Sequence, residues 1–348
     1  MSRVAVVTSS PPLGEGGHLV IARSLVSALR CGGHEADLVV TPSHRFGRQG
    51  RAYLATWLTD VTVDQQGRSI DRVVSLRYPS YAVRHPAHVC WLNHRMREYY
   101  DLWPSFVATL PAAARLKERL RRAVIHRVDW YLLTHNVRRV VAQSKTIQER
   151  LERLGGIRAD VLHPPAPPRP YRCDQYGDYL LAVSRLTPLK RFDLLVEALA
   201  LPEARGIRCI IAGDGEEAPR LARLIRERGL ESRVMLVGSI DSTQLVDYLA
   251  RCRAVCFPAR AEDYGLVTIE AFAAAKAVIT CTDSGGPTEL VDVGVTGLMS
   301  EPRPERLAIA IARVMDDRAF AERLGAAALQ KSETMTWPAA VETLLAST

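Results

Sequence analysis

The chain has 348 residues, of which 47% are apolar and 24% are charged. These values are typical of folded globular proteins and exclude a disordered or fibrous chain. A chain of this length predicts two domains, each able to bury its own core. The formal charge of +8 at pH 7 indicates a surface that attracts anions, such as phosphate-bearing substrates, an acidic membrane face or nucleic acid.

The first residues and the cysteines bear on localisation. A single arginine precedes a short apolar run at Val4, far shorter than a secretory signal, and no later stretch reaches the length of a membrane span. We therefore expect a cytoplasmic protein. The seven cysteines form no Cys-x-x-Cys pair, and we expect reduced core thiols. They are Cys31, Cys90, Cys173, Cys209, Cys252, Cys256 and Cys281.

Strands and helices alternate along the first half of the chain. Val4 to Thr8 predicts a strand, Gly14 to Gly17 a glycine-rich loop, and His18 to Leu29 an amphipathic helix. A second strand is expected at Ala36 to Val40, and this alternation predicts a parallel sheet. Further strands are predicted at His88 to Leu92, Val137 to Ala142 and Asp160 to Leu162, and helices at Ser105 to Arg127 and Ser144 to Leu154. Residues 42–84 show no clear pattern.

A proline cluster from His163 to Pro170 marks the domain boundary, because it can continue neither a helix nor a central strand. Beyond it the alternation restarts. Strands are predicted at Tyr179 to Ser184, Arg208 to Ala212, Val234 to Val237, Ala254 to Phe257 and Ala277 to Thr280. The predicted class is therefore α/β, with two doubly wound parallel sheets in domains 1–165 and 171–333. A last helix, Trp337 to Leu345 within 334–348, is expected to cross back and brace the first domain.

Two glutamates, Glu262 and Glu270, are separated by seven residues, and Gly265 stands between them at the predicted start of a helix. The free backbone N–H groups of a helix start attract an anion. Glu262 would lie just before the helix and Glu270 in its second turn, so both carboxylates can border one ligand. Alternatively, Glu262 and Asp263 only complement the helix dipole and Glu270 is an exposed helical acid.

A basic loop follows the first strand of the second half. Arg185 and Lys190 lie five residues apart between a strand and a helix, where open α/β sheets bind ligands. An arginine and a lysine so placed can grip a diphosphate, although a solvated basic loop would look the same. Glycines also end two other strands, at Gly213 to Gly215 and at Gly285–Gly286. All these features fall at carboxyl ends of strands, so we expect them to converge on one crevice.

In this order the motifs resemble those of the retaining glycosyltransferases of family 4, which have the GT-B fold of two Rossmann-like domains facing a cleft. The resemblance spans the whole chain. It implies an acceptor-binding first domain and a second domain that binds a nucleotide-sugar donor, with Arg185 and Lys190 on the diphosphate, Glu262 on the transferred sugar and Glu270 on the ribose. Other donor contacts are implied for Gly213, Gly238, Ile240, Tyr264, Gly265, Leu266 and Val267, with Gly238 and Ile240 beside the base.

On the first domain, Gly16 and Gly17 match the family's loop that approaches the donor phosphate and the acceptor, since glycine lets the backbone come close to a ligand. His94 matches a position where many family members place a polar residue beside the reacting centre. The stretch from Asn93 to Trp103 is polar and aromatic for a loop after a buried strand. We expect it to form part of the acceptor wall.

The chemistry that the resemblance implies is transfer of a sugar to a hydroxyl acceptor, such as a glycan or a lipid-linked glycan, with retention of configuration. Arg185, Lys190 and the helix start at Gly265 would stabilise the departing diphosphate. Enzymes that use a divalent cation commonly supply an Asp-x-Asp triplet, and this chain has none. We therefore expect neither a metal nor another cofactor to be required, with the nucleotide sugar as co-substrate.

Three alternatives stay open at this level. The chain could be a catalytically idle nucleotide-sugar-binding protein, or an epimerase or glycogen-type synthase on the same fold. Nucleic-acid binding is disfavoured, because the basic residues are scattered and no recognised motif appears. The segment 115–127 carries Leu116, Leu120, Ala123 and Val124 among many cations, which suits peripheral contact with an anionic membrane. It suits equally a surface helix packed on its own sheet. Oligomeric state, donor sugar and acceptor are not encoded in any pattern we recognise.

Overall fold

The computed structural model describes residues 1–11, 16–43 and 48–346. The chain divides into two compact units. The first unit contains Met1–Pro164 and Trp337–Thr348, and the second contains Pro165–Thr336. The chain therefore leaves the first unit within the proline cluster and returns to it for its last helix.

The first unit is built on a parallel six-stranded sheet with the order β2-β1-β3-β4-β5-β6. Its strands are β1 (Arg3–Ser10), β2 (Glu35–Pro42), β3 (Arg72–Ser75), β4 (His88–Leu92), β5 (Arg139–Ala142) and β6 (Asp160–Val161). The winding direction reverses between β1 and β3, which are neighbours in the sheet. The loops after these two strands therefore border the crevice where open α/β sheets bind ligands.

Helices pack on this sheet and continue the alternation. They are α1 (Gly17–Cys31), α2 (Gln49–Trp57), α3 (Trp103–Ala108), α4 (Ala112–Tyr131) and α5 (Lys145–Arg153). The single helix predicted from Ser105 to Arg127 is wrong, because the chain forms α3 and α4 with a break between them. Pro111 causes the break, since proline disfavours helical backbone in the residue before it and suits a helix start. The unpatterned stretch 42–84 contains α2 and β3.

The second unit repeats the architecture, with a parallel six-stranded sheet in the order β12-β11-β10-β7-β8-β9. Its strands are β7 (Tyr179–Val183), β8 (Arg208–Ala212), β9 (Val234–Gly238), β10 (Ala254–Phe257), β11 (Ala277–Cys281) and β12 (Gly297–Ser300). The predictions of the first five are confirmed, and β12 was not predicted. Every residue of β10 and β11 is buried, as expected for strands covered by helices on both faces. The winding reverses between β7 and β10.

Seven helices cover the second sheet within the described residues. They are α6 (Phe192–Leu199), α7 (Ala218–Glu227), α8 (Ser242–Arg251), α9 (Leu266–Ala273), α10 (Gly286–Leu290), α11 (Pro304–Asp316) and α12 (Arg318–Glu333). Local sequence sets several of their starts. Asp241 caps α8 by accepting from the backbone N–H groups of Thr243 and Gln244, and the Gln244 side chain accepts from the backbone of Asp241 in return.

The last helix, α13 (Trp337–Leu345), has the bounds predicted and packs back on the first unit. The ring of Trp337 stands edge-on to Trp91 of β4, with centroids 6.1 Å apart. The Arg139 guanidinium donates to the carbonyl of Thr343. All seven cysteines are free, but Cys31 and Cys173 are exposed, so the expectation of core thiols holds for only five. Within the described residues, no helix combines the length and hydropathy that crossing a membrane requires.

Candidate active site

Backbone contacts bring the ends of β7, β8 and β9 together. The N–H of Leu186 donates to the carbonyl of Asp214 at 2.9 Å, and the N–H of Gly213 donates to the carbonyl of Gly238 at 2.7 Å. A Cβ at Gly213 would lie 1.8 Å from the carbonyl oxygen of Ser184, so the approach of these loops requires glycine there. The loop that carries Arg185 therefore rests directly on the glycine turn after β8.

A second set of contacts joins the ends of β10 and β11. The N–H of Glu262 donates to the carbonyl of Ser284 at 2.7 Å, and the N–H of Gly286 donates to the carbonyl of Glu262 at 3.0 Å. A Cβ at Gly286 would lie 2.5 Å from the Cα of Tyr264. The glycine pair 285–286 therefore lets the loop after β11 support the backbone of Glu262.

Lys190 and Glu262 meet where the winding of the second sheet reverses. The Lys190 ammonium lies 2.5 Å from Glu262 Oε2 and 5.1 Å from the centre of the Phe257 ring. Their side chains are 12% and 20% exposed, so each charge is partly desolvated and keeps one open side. Lys190 lies in the loop after β7, and Glu262 lies in the loop after β10. The contact thus joins the two loops at the crevice that open α/β sheets use for ligands.

Arg185 lies in the same loop after β7 and is exposed. Its backbone carbonyl accepts from the N–H of Thr187 at 3.0 Å, which begins the turn leading to Lys190. A short 3₁₀ turn, Pro188–Lys190, follows and places Lys190 at the crevice. The predicted pair of cations therefore belongs to one ordered loop.

Arg191 was not singled out from the sequence, and it holds the two loop sets together. It has a φ of 50°, which a residue with a side chain rarely adopts. Its guanidinium donates to both carboxylate oxygens of Asp283, at 2.6 and 2.9 Å, and to the carbonyl of Pro258 at 2.8 Å. These contacts tie the loop after β7 to the loops after β10 and β11. The partner at position 283 is 92 residues away in sequence, so no local pattern indicates it.

The helix that follows Glu262 begins as predicted. Gly265 caps α9 with a left-handed φ of 79°, and a Cβ there would lie 2.6 Å from Pro287. No acidic residue occupies the first turn of α9. The side chains of Tyr264 and Val267 are 2% and 7% exposed and pack in the core. Their side chains are therefore part of the core and do not face an open site.

Glu270 is not the exposed helical acid of the alternative interpretation, because it is 5% exposed. The Arg169 guanidinium and the Tyr171 hydroxyl, the latter at 3.0 Å, both donate to Glu270 Oε1. Burial raises the pKa of Glu270, and Arg169 and Tyr171 offset only part of this rise. Arg169 belongs to the proline cluster, where we had predicted only a spacer. The sequence therefore identified this carboxylate but missed the two residues that hold it.

The remaining donor-side residues lie at the end of β9. Gly238 has a left-handed φ of 71°, and a Cβ there would meet nothing within 4 Å. Ile240 is partly buried against the core that contains α9. Gly238 therefore faces open space beside the glycine turn that supports Arg185.

The predicted residues of the first unit follow two of its strands. Gly16 caps α1 and Gly17 is its first residue, and the first turn of α1 contains no acidic side chain. Residues 12–15, which include Gly14 of the predicted loop, lie outside the described residues. His94 follows β4, is partly buried, and its Nδ1 lies 2.7 Å from the carbonyl of Arg95.

Two aromatic residues of the stretch from Asn93 to Trp103 are buried in the core of the first unit. Tyr99 and Tyr100 are 0% and 4% exposed and pack against Ile125 of α4. Their hydroxyls donate to Glu118 and Asp129, at 2.8 and 2.7 Å. These two tyrosines therefore do not form the acceptor wall that the sequence suggested.

In the described parts of the chain, no group of three or more histidine, cysteine, aspartate or glutamate side chains is arranged to hold a metal ion.

Most of the second unit matches a known protein family. Residues 171–331 match the model of the family described as glycosyl transferases group 1. Over 148 residues the chain is 32% identical to the alpha-D-kanosaminyltransferase of Streptomyces kanamyceticus, covering 42% of this chain and 38% of that protein. Over 181 residues it is 33% identical to the D-inositol 3-phosphate glycosyltransferase of Kribbella flavida, covering 48% and 42%. The matched part thus spans less than half the length of these relatives.

Solved structures match over nearly the whole chain. HepE of Anabaena, solved in complex with UDP and glucose, superposes with a TM-score of 0.73 at 18% identity and covers 97% of both chains. Sucrose-phosphate synthase of Thermosynechococcus elongatus superposes with a TM-score of 0.76 at 19% identity, covering 99% of this chain and 97% of that one. Both sheets thus belong to one known two-domain fold. Residues 171–331 form a domain of the glycosyl transferases group 1 family, in a chain with the GT-B fold.

Proposed function

We propose that this protein is a retaining glycosyltransferase that moves a sugar from a nucleotide diphosphate donor to a hydroxyl acceptor without a metal ion. The observation that carries the proposal is the Lys190–Glu262 pair at the reversal between β7 and β10. It puts a cation for phosphate and a carboxylate for sugar hydroxyls side by side. The family match of residues 171–331, and the UDP and glucose named for the structurally similar HepE, support a nucleotide-sugar donor.

The donor diphosphate would be held by cations and by a helix start. The Arg185 guanidinium offers a planar set of N–H donors, and the Lys190 ammonium offers a compact positive charge. The backbone N–H groups that follow Gly265 lie at the start of α9, where a helix attracts an anion. Cleavage of the glycosidic bond leaves an additional negative charge on the diphosphate. Fixed positive groups at that place lower the barrier because they need no reorganisation when the charge develops. In this proposal, these fixed positive groups replace the divalent cation that other transferases use.

The two glutamates would hold the sugars on either side of the diphosphate. Glu262 Oε2 is engaged by Lys190, which leaves Oε1 to accept from a hydroxyl of the transferred sugar. Glu270 Oε1 is engaged by Arg169 and Tyr171, which leaves Oε2 for the ribose hydroxyls. The open space beside Gly238 suits the base, with Ile240 as an apolar neighbour.

Retention would follow from attack on the same face from which the diphosphate leaves. The bond between the anomeric carbon and the diphosphate oxygen breaks, the acceptor oxygen bonds to that carbon, and the leaving phosphate takes the acceptor proton. No carboxylate of the second unit is assigned as a nucleophile, so a double displacement is not part of the proposal. Gly16 and Gly17 are proposed to approach the donor phosphate and the acceptor, and His94 is proposed to lie beside the reacting centre.

The test has two stages. UDP, GDP, ADP and TDP are screened for a rise in melting temperature, since a bound ligand stabilises the native state by mass action. The matching nucleotide sugars are then incubated with a panel of sugars, inositol phosphate and lipid extract, with and without EDTA. We expect release of the nucleoside diphosphate only when acceptor is present, unchanged by EDTA, and a product with the donor's anomeric configuration.

Each result that differs from these expectations contradicts a different part of the proposal. Binding with no turnover on any acceptor would identify a nucleotide-sugar-binding protein. Inhibition by EDTA would remove metal independence, and an inverted product would remove retention. If none of the four diphosphates stabilises the protein, the proposed donor site does not exist.

A further inference from the structure

Helix α4 packs on the first unit through an unusual face. Its buried residues are Glu118, Ile125 and Asp129. Glu118 accepts from the hydroxyl of Tyr99 at 2.8 Å and from the guanidinium of Arg121. Burying two carboxylates is affordable only because such partners satisfy them. The inward face of α4 is therefore mainly polar.

Tyrosine hydroxyl groups donate the hydrogen bonds that satisfy the Asp129 carboxylate. Tyr81 donates to its Oδ1 at 2.5 Å, Tyr100 donates to its Oδ2 at 2.7 Å, and Tyr53 donates to Oδ1 as well. Three tyrosines from separate segments converge on one carboxylate, so the rotation of α4 about its axis is firmly set. The side of α4 opposite to Asp129 must then face outward.

That outward side is apolar. Leu116, Leu120 and Val124 follow one another at four-residue spacing and are 66%, 64% and 62% exposed. Trp130 and Tyr131, at the end of the helix, are 47% and 52% exposed. A surface helix of a globular protein normally buries such a stripe against its own core. Helix α4 therefore packs on the first unit through its opposite side and leaves this apolar face exposed.

The exposed charges that α4 itself places around the stripe have one sign. Arg115, Lys117, Arg119 and Arg127 are exposed, whereas the two acidic residues of α4 are the buried ones. An apolar stripe bordered only by exposed cations complements a surface that is apolar inside and negatively charged outside. A partner protein that offered the same combination would have to expose a large apolar patch of its own, which is uncommon in monomeric proteins.

A cleft adjoins the end of the stripe. It has a volume of about 590 Å³ and is lined by Leu54 and Trp57 of α2 and by Trp130 and Tyr131 of α4, among others. Leu54 is 58% exposed. Tryptophan and tyrosine favour the boundary between lipid headgroups and acyl chains, where a ring can be half apolar and half hydrated. The aromatic residues therefore extend the apolar stripe with side chains suited to a lipid surface.

We infer that α4 is a membrane-surface helix, which lies in the plane of an anionic bilayer with the Leu116–Leu120–Val124 face among the acyl chains and its cations at the lipid phosphates. The inference goes beyond the proposed transferase activity and does not depend on it. Helices of this kind combine a buried apolar face with electrostatic attraction to anionic lipid. The distance along α4 from Leu116 to Tyr131 is about 22 Å, which is long enough to anchor the first unit.

The experiment is flotation of the full chain with lipid vesicles. One set contains phosphatidylcholine alone, and the other contains in addition about one third phosphatidylglycerol, each at low and at moderate salt. We expect binding to the anionic vesicles and weak binding to the neutral ones. The double variant Arg119→Glu, Arg127→Glu should lower partitioning by at least about fivefold for each cation. The variant Leu116→Ser, Leu120→Ser should abolish binding.

Matched controls come from the second unit. Arg223→Glu with Arg226→Glu alters two exposed arginines of α7, and Ile309→Ser with Val293→Ser alters two exposed apolar residues. These controls should bind as the unaltered chain does. Melting curves of all variants verify folding, and substitution of exposed side chains is expected to leave them unchanged.

Three outcomes overturn the inference. The first is no binding of the unaltered chain to anionic vesicles at either salt concentration. The second is equal loss of binding in the α7 variants, which would indicate general charge attraction. The third is a dimer in solution that dissociates in Leu116→Ser, Leu120→Ser together with no vesicle binding, which would assign the face to a second copy of the chain.

Discussion

The ammonium of Lys190 lies 2.5 Å from Glu262 Oε2, above the ring of Phe257. The two residues are 72 positions apart and come from loops after β7 and β10, which are neighbours in the sheet although the chain forms two strands between them. Their contact is thus a property of the winding of the sheet. It puts opposite charges on one wall of the crevice.

Lys190→Ala and Arg185→Ala should each lower kcat/KM, by about 10²–10³-fold, because each removes a fixed positive group from the leaving diphosphate. Arg185 is exposed and the Lys190–Glu262 pair keeps an open side, so both variants should remain folded. Steady-state kinetics on the donor identified by the nucleotide screen provide the measurement. Arg208→Ala is the control, since Arg208 pairs with Asp178 at the opposite, amino end of β8. Unchanged turnover in both site variants contradicts the site.

Arg169→Met should weaken nucleoside diphosphate binding and make it more dependent on pH. Arg169 lowers the pKa of the buried Glu270 carboxyl, so its loss should raise that pKa further. A larger fraction of Glu270 is then protonated at mildly acidic pH, and a neutral carboxyl accepts more weakly from the ribose hydroxyls than a carboxylate does. Titration calorimetry with the diphosphate, from pH 5 to pH 8, should show the loss of affinity beginning at a higher pH than in the unaltered protein.

The double variant Arg169→Met, Glu270→Gln separates binding from stability. A buried charge without its partner costs several kcal/mol, about 3–5 in comparable cases, and the double variant has neither charge. Its melting temperature should recover toward that of the unaltered chain, while diphosphate affinity stays low at every pH. If diphosphate affinity recovered together with the melting temperature, Glu270 would have only a structural role.

Gly213→Ala should disrupt the site by displacing the loop that carries Arg185. The new Cβ would lie 1.8 Å from the carbonyl oxygen of Ser184. Gly229→Ala is the matched control, because Gly229 also has a left-handed φ, of 64°, but a Cβ there meets nothing within 4 Å. Each variant bears the backbone strain, about 1–3 kcal/mol, and only Gly213→Ala adds the clash. Thermal stabilisation by diphosphate should vanish in Gly213→Ala and persist in Gly229→Ala.

His88 should make the first unit sensitive to acid. It is fully buried in β4, its Nε2 lies 2.8 Å from Ser75 Oγ, and burial lowers its pKa from 6.5 to about 4. Between these values the unfolded chain binds a proton that the native chain does not. Stability is therefore complete above pH 6.5 and falls as the pH drops toward 4, by up to about 3 kcal/mol.

All five tryptophans, Trp57, Trp91, Trp103, Trp130 and Trp337, belong to the first unit, so urea unfolding followed by tryptophan fluorescence reports on that unit alone. In His88→Gln the loss of stability between pH 6.5 and 4 should be markedly smaller. Burial also lowers the pKa of His126, which leaves some slope. The same slope in both proteins would mean that His88 is not the titrating group.

The sequence by itself was enough for the architecture. Apolar runs and glycine turns predicted ten strands of the two sheets within a few residues, since a strand buried on both faces must be apolar along its length. The glutamate spacing at 262–270 also indicated a helix start, because Gly265 suits the left-handed cap. The short strand β12 and the elements within 42–84 escaped detection, as short elements in mixed sequence have little periodicity.

The tertiary structure decided which distant residues meet. Arg169 reaches Glu270 over 101 positions and Arg191 reaches Asp283 over 92, and no local pattern records such contacts. It also decided which side of α4 faces outward. The periodicity of Leu116, Leu120 and Val124 gives a helix face but not its direction, which is set by the hydrogen bonds of three tyrosine hydroxyls to Asp129. Local preferences determine elements, whereas the pairing of buried charges and hydroxyls requires the folded chain.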